Sequence, residues 1–171
     1  MVRTITWTSV ASPVGILYLA ATENGLAFLD FGKSVDGFHR RVLEAYPKAT
    51  LKESTRNLDL ALQDLNRYWR GENAPPRSVF DLKGTQFQVK VWTALKHIPF
   101  GKVISYGDLA AKIGKPKSFR AVGAAVGKNP VAILIPCHRV IGSDGTLCGY
   151  GGGLDNKAKL LSHEGVQWKL G

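Results

Sequence analysis

Cysteine is scarce in this sequence: Cys137 and Cys148 are the only two in 171 residues. That is too few for a disulfide framework, and such sparing use of thiols fits a reducing compartment. A single disulfide between the two is the minor alternative. No run of about 18 apolar residues occurs, so no membrane-spanning helix is expected. The opening stretch, Met1 to Val10, alternates in polarity like a strand and lacks the apolar segment of a secretion signal. A soluble, cytoplasmic protein is expected. Cysteine and histidine nowhere fall at zinc-ligand spacing, and adjacent side chains such as Cys137 and His138 rarely reach one ion, so no metal is expected. Acidic residues are also few, 13 against 23 Lys and Arg. The imbalance is uneven: residues 1–80 hold 10 basic and 8 acidic side chains, residues 81–171 hold 13 and 5. A basic second half points to a polyanionic partner, DNA or RNA first, although charge alone fits a merely soluble basic protein as well.

The first half reads as strands followed by a helix. Arg3–Trp7, Gly15–Ala21 and Gly25–Asp30 are strand-like and separated by turn formers, Ser12-Pro13 and Glu23-Asn24-Gly25. Leu58, Leu62, Leu65 and Trp69 form one apolar helix face that stops at Gly71. Pro75-Pro76 lies in a linker, and a domain boundary is expected near residue 80. In the second half, Thr85 with Gln88 makes a capping box for a helix that buries Phe87, Val91, Leu95 and Ile98. Ser105 with Asp108 opens a short helix that ends at Gly114. After the Lys115-Pro116-Lys117 turn, Ser118 is placed to cap a third helix, Phe119–Gly127. Two short helices joined by such a turn match a helix-turn-helix. The fold class is α+β: a small N-terminal domain with a short antiparallel sheet and helices, then a mainly helical, winged-helix-like domain. The recognition helix is small and nearly uncharged. It offers little for reading base edges but lets its backbone approach a groove wall, which suggests binding with little sequence preference; a tightly packed core helix is the other reading.

The apolar run Val131–Ile135 is expected to be a buried strand or extended segment that delivers Pro136-Cys137-His138-Arg139-Val140. A cysteine there beside a histidine is a candidate nucleophile, since the thiolate is the reactive form and His138 can take the thiol proton directly or through a water. Alone the pair is weak, because most buried cysteines are inert packing residues. Gly149 to Gly153 adds a glycine loop that can approach a ligand closely, with Tyr150 as a flat face. The last helix, about Asp155 to Glu164, supplies a carboxylate that can orient His138.

With these residues in view, the segment from Arg120 to Val140, RAVGAAVGKNPVAILIPCHRV, resembles the active-site region of the O6-alkylguanine-DNA alkyltransferases, also called methylated-DNA–protein-cysteine methyltransferases. The likeness extends upstream through IPFGKVISYGDLA and downstream through Gly149-Tyr150 to His163-Glu164-Gly165. It implies repair of double-stranded DNA carrying O6-alkylguanine by a single, irreversible transfer of the alkyl group to Cys137, with the nucleotide flipped out of the helix, no cofactor and a monomeric protein. It implies that His138 activates Cys137 through a water and that Glu164 holds His138. Tyr106 would hydrogen-bond the guanine, Arg120 would fill the gap left by the flipped base, and Asn129 would tie the recognition helix to the cysteine segment. Carbonyls near Cys137 and Val140 would read the guanine amino group, and Tyr150 would wall the pocket. Ser118, Ala121 and Gly123 would meet the DNA groove. The chain departs from many relatives at Gly151, where a serine hydroxyl is replaced by a backbone N–H, and from some at Ala132, where a proline is absent. Some relatives bind zinc in the N-terminal half; this one has no cysteine there. Cys148 reads as a packing or pocket-edge residue.

Three other readings compete. A damage-flagging DNA binder of the same superfamily would lack the nucleophile that Cys137 supplies. A transcription regulator would need a richer recognition helix. A cysteine hydrolase built on Cys137, His138 and Glu164 would need an oxyanion hole, for which nothing in the sequence calls.

Overall fold

A computed structural model describes residues 3–170; Met1, Val2 and Gly171, which the expected strand-like start and outer domain limits include, lie outside it. Four strands form the first sheet. They are β1 (Arg3–Ser12), β2 (Gly15–Thr22), β3 (Gly25–Phe31) and β4 (Ala49–Glu53), in the order β3-β2-β1-β4. The three expected strands pair antiparallel through the expected turns. β4 joins as a fourth and runs parallel to β1, because the helix α1 (Val35–Ala45) carries the chain back across the sheet. Neither α1 nor β4 was expected from the sequence.

Side chains alternate across the sheet as strand geometry dictates, except at a bulge where Ala27 is the extra residue of β3 opposite Ala20 and Ala21. On one face Ile5, Ala20, Ala27 and Phe28 pack with Phe38, Val42 and Tyr46 of the α1 region. On the other, Leu17, Leu19, Ala21, Leu26 and Leu29 meet the helix α2 (Asp59–Trp69) and the helices of the second half in one continuous core. The buried face of α2 is rotated from the expected stripe. Tyr68, Asp64 and Ala61 are buried with Leu65, while Leu62 and Trp69 only border the core. Asp64 is buried because it accepts hydrogen bonds from the Arg77 and Ser78 N–H groups and the Ser78 hydroxyl, which anchors the Pro75-Pro76 linker.

The second half holds α3 (Gln86–Leu95), β5 (Ile104–Ser105), α4 (Tyr106–Lys112), α5 (Phe119–Gly127), a 3-10 turn (Cys137–Arg139), β6 (Val140–Ile141) and α6 (Leu154–His163). The Thr85 capping box is formed on both sides, and the Ser105 hydroxyl accepts from the Asp108 N–H. Ser118 departs from expectation: it stands at the start of α5 but its side chain makes no capping bond. α4 and α5 pack as the expected helix-turn-helix, and the short parallel pair β5–β6 ties the start of α4 to the residues that follow Cys137.

The Val131–Ile135 segment is buried as expected but is neither strand nor extended. Val131 bridges to Leu29 of β3, and the chain then turns so that Ile135 N–H donates to the Val131 carbonyl at 3.1 Å. Ile133 sits at φ 67°, a left-handed conformation unfavourable for a β-branched residue. Asn129 offsets that strain. Its Nδ2 donates to the Ile135 carbonyl at 2.7 Å and the Val131 carbonyl at 3.3 Å, and its Oδ1 accepts from the Val131 N–H at 3.1 Å.

Candidate active site

The turn held by Asn129 projects Cys137 into a site assembled from both halves of the chain. Cys137 is buried, 6% exposed, and its backbone N–H bonds to the Ile135 carbonyl at 2.8 Å. Around its sulfur stand the Asn129 side chain, the Tyr150 hydroxyl and the Lys157 ammonium. Burial pushes the thiol above its ordinary value, and those three neighbours act in the opposite sense. Both cysteines are free. The Tyr150 hydroxyl is buried without a hydrogen-bond partner, close to Cys137. Tyr150 also packs edge-on against Phe31 of β3.

His138 and Glu164 meet beneath the nucleophile. Nε2 of His138 lies 2.5 Å from Oε1 of Glu164, with both side chains fully buried. The other ring nitrogen, Nδ1, is buried and has no partner in the protein. A carboxylate on Nε2 fixes the proton there and leaves the Nδ1 lone pair as the acceptor. Glu164 is held in turn by a cage of donors. Arg139 reaches it through Nε at 2.9 Å and Nη2 at 3.0 Å, the Gly101 N–H at 3.0 Å and the Tyr68 hydroxyl at 3.0 Å. The remaining Arg139 nitrogen, Nη1, donates to the Ile98 carbonyl at 2.6 Å.

Burial raises the Glu164 carboxyl, but the hydrogen bonds and charges of His138 and Arg139 outweigh it and hold it at about 2. Burial lowers His138 from its ordinary 6.5 despite the pull of Glu164. Both effects weaken the fold in acid. The folded state binds less readily the proton that an unfolded histidine takes up below 6.5, and the stabilisation from Glu164, present above 4.5, is lost as the pH falls toward about 2. Denaturant midpoints are therefore expected to fall continuously as the pH drops below 6.5, and a His138→Gln variant is expected to stay level down to 4.5.

Tyr106 stands near Cys137, and its hydroxyl donates at 3.3 Å to the carbonyls of Cys148 and Gly149. Burial keeps this phenol protonated, well above its ordinary range. Gly123 of α5 is half-buried against its ring: an added Cβ would lie 3.6 Å from it. Gly123 thus serves the packing of α5 on α4. The outer face of α5 is formed by Phe119, Arg120, Ala121 and Ala124, all exposed, with the Arg120 guanidinium over the Phe119 ring at 5.7 Å. Ser118 is half-buried beside them. At Gly151 a Cβ would meet only the Gly127 carbonyl at 3.5 Å, so space does not demand glycine there. Gly152 is different, because a Cβ would stand 2.5 Å from the Phe31 ring. The structure therefore gathers Cys137, His138, Glu164, Tyr106, Asn129, Val140 and Tyr150 at one site. Arg120, Ala121 and Ser118 lie on the adjoining surface.

Besides the hold of Arg139 on Glu164, two contributions to the site were not anticipated. Lys157 is fully buried, and its ammonium donates to the carbonyls of Val140 at 2.6 Å and Cys148 at 2.9 Å, between the rings of Tyr106 and Tyr150. Its signal is a lysine on the buried face of α6, in register with Leu160, Leu161 and Glu164. Tyr68 is the second; it comes from the other half of the chain and has no local signal. Among the described residues no helix is long and apolar enough to cross a membrane, and no three His, Cys, Asp or Glu side chains gather as a metal group.

Comparison with known proteins identifies the family of the chain. Residues 86–166 match the family model described as 6-O-methylguanine DNA methyltransferase, DNA binding domain, and residues 5–75 match that of its ribonuclease-like domain. A methylated-DNA–protein-cysteine methyltransferase of Mycolicibacterium paratuberculosis is 44% identical over 162 residues, covering 94% of this chain and 92% of the relative. The inducible enzyme of that name from Bacillus subtilis is 38% identical, covering 94% and 90%. The crystal structure of the Mycobacterium tuberculosis OGT in complex with DNA superposes with a TM-score of 0.80 at 40% identity, covering 93% of this chain and 92% of the other. Similarity of this extent, spanning both halves, makes the chain a member of the methylated-DNA–protein-cysteine methyltransferase family.

Proposed function

We propose that the protein repairs O6-alkylguanine in duplex DNA with Cys137 as the acceptor. The observation that carries this reading is the buried Cys137 beside the His138–Glu164 pair, with the unpartnered Nδ1 of His138 free to take a proton. The reaction is a displacement at the alkyl carbon. The thiol proton passes to His138 through a water, the sulfur forms a bond to the carbon, and the carbon–O6 bond breaks with its electrons going to guanine. Guanine regains a proton in exchange for the one the thiol lost. Tyr106, kept protonated by burial, is the donor for the departing base and must release the Cys148 and Gly149 carbonyls to act. The thioether product has no facile leaving group, so one protein repairs one lesion.

The target atom lies inside the duplex, so the nucleotide must be turned out at a cost of a few kcal/mol. Arg120 is placed at the exposed start of α5 to enter the vacated stack. Ala121 and Ala124 allow close approach to the groove, and the carbonyls of Cys137 and Val140 are the acceptors assigned to the guanine amino group. Val140 already accepts from Lys157, which leaves one lone pair for the base. Residues 1–80 and 81–171 are read as a structural and a DNA-binding, alkyl-accepting domain. Two reduced thiols fit a cytoplasmic protein. Binding dominated by basic side chains should fall steeply with salt and vary little with sequence. A sequence preference of about 10³ at fixed salt, measured by competition, would contradict it.

Intact-protein mass spectrometry after mixing with excess O6-methylguanine duplex tests the reading. One methyl-sized gain mapped to Cys137, absent in Cys137→Ser, is expected. Binding without a gain would favour a damage-flagging binder, and catalytic turnover would favour a hydrolase.

A further inference from the structure

Tyr68 belongs to α2 in the first half of the chain, yet its hydroxyl donates at 3.0 Å to Oε1 of Glu164, the same oxygen that contacts His138. It is no incidental neighbour. The residue is 7% exposed, and its ring packs against Trp69, Phe100 and His163, with centroids 4.8, 5.8 and 5.1 Å away. Its backbone carbonyl lies 2.9 Å from Nε2 of His163, the residue next to Glu164. Ring and backbone are thus anchored independently of the hydroxyl. The hydroxyl is left with one task, sharing the charge on Oε1.

We propose that Tyr68 is a positioning residue for alkyl transfer: acting through Glu164, its hydroxyl sets how firmly His138 retains the proton it takes from Cys137. A donor on Oε1 draws negative charge away from His138, and removing it lets the carboxylate hold a protonated imidazole more strongly. Other groups facing the pair are Arg139 and Cys137 from the turn, Lys157 and His163 from α6, and Tyr150 from the glycine loop. The Arg139 and Lys157 cations oppose protonation of His138, and Glu164 favours it. Tyr68 is the neutral side chain on Oε1 that tunes the favourable partner, while the Gly101 N–H holds the other oxygen. On this account the first half of the chain takes part in the chemistry as well as in the fold.

The inference rests on Cys137 being the acceptor and His138 its base. The test is the single-turnover rate of Cys137 alkylation against pH, measured for wild type and Tyr68→Phe. The acid limb of the variant is expected to move up by about half a pH unit, so that below the limb the rate falls about threefold. The plateau and the DNA affinity are expected to stay within about twofold, a band set from the roughly 0.4 kcal/mol it represents. In a Glu164→Gln background the same change should produce no shift. Site-specific 3-fluorotyrosine at position 68, a stronger donor of the same shape, should move the limb down, and it serves if Tyr68→Phe does not fold. A lowered plateau with an unmoved limb would show a purely structural role and overturn the inference. An unmoved limb in both variants would do the same. Failure of wild-type Cys137 to become alkylated would instead remove the reading on which the inference stands.

Discussion

Glu164→Gln is expected to slow alkylation of Cys137 by about 10³-fold and to destabilise the fold by about 3 kcal/mol. The substitution preserves shape but inserts an NH2 group into a cage made of donors. Whichever oxygen it replaces, it meets Arg139, together with either the Gly101 N–H or the Tyr68 hydroxyl. The Arg139 guanidinium, 8% exposed, loses its only anionic partner among the described residues. That accounts for the stability loss, because a buried charge left unpaired costs several kcal/mol. The rate loss has a separate origin. An amide that donates to Nε2 moves the histidine proton to Nδ1, the atom that must be free to receive one. Urea unfolding and single-turnover kinetics on the same preparation separate the two effects. Lost stability with an intact rate would mean that Glu164 supports the fold and not the base.

The second large effect concerns Arg120. Arg120→Ala is expected to reduce transfer from duplex DNA by about tenfold, as loss of roughly half of a flipping cost of about 3 kcal/mol implies. It should leave transfer from free O6-alkylguanine base unchanged, because Arg120 lies on the surface and touches neither Cys137 nor His138. Overall DNA affinity should fall only a few-fold, as for one phosphate-range cation lost. Placing the lesion opposite a mismatched base, which already unstacks more easily, should recover much of the lost rate. An equal loss on free base and duplex would refute the wedge role and indicate a disturbed pocket.

Much of this site was legible because its parts are local in sequence. Cys137 and His138 are adjacent, the Thr85 capping box and the Ser105 cap each span four residues, and the helix-turn-helix announces itself through Gly114 and Pro116. Glu164 was reached as a carboxylate on the last helix, and the family likeness added the role of holding His138. Tyr68 was not reached, because nothing near it in the chain reveals a partner 96 residues away. Lys157 was passed over because a lysine is ordinarily solvated, and only its register on α6 argues otherwise. The Val131–Ile135 turn was misread for a physical reason: a short apolar run reports burial and not backbone conformation. The information that bends it resides in Asn129, whose side chain substitutes for a strand partner. α1 went unseen because Phe38 and Val42 alone are buried along it, too few to set a period. β4 is a largely exposed edge strand whose alternation, Ala49 and Leu51 half-buried between exposed neighbours, is too short to stand out.

The pairing of Leu29 with the chain around Val131 has a consequence for how such proteins can be recombined. The Leu29 N–H bonds to the Pro130 carbonyl and the Ala132 N–H to the Leu29 carbonyl, so the segment that carries the nucleophile is registered against a strand laid down a hundred residues earlier. With Tyr68 crossing the same divide, the halves share a seam of backbone and side-chain contacts. A chimera that joins the first half of one relative to the second half of another would inherit two surfaces shaped for different partners. Drift in β3 or α2 therefore has to be matched in the cysteine segment and α6, and the two halves are expected to diversify together.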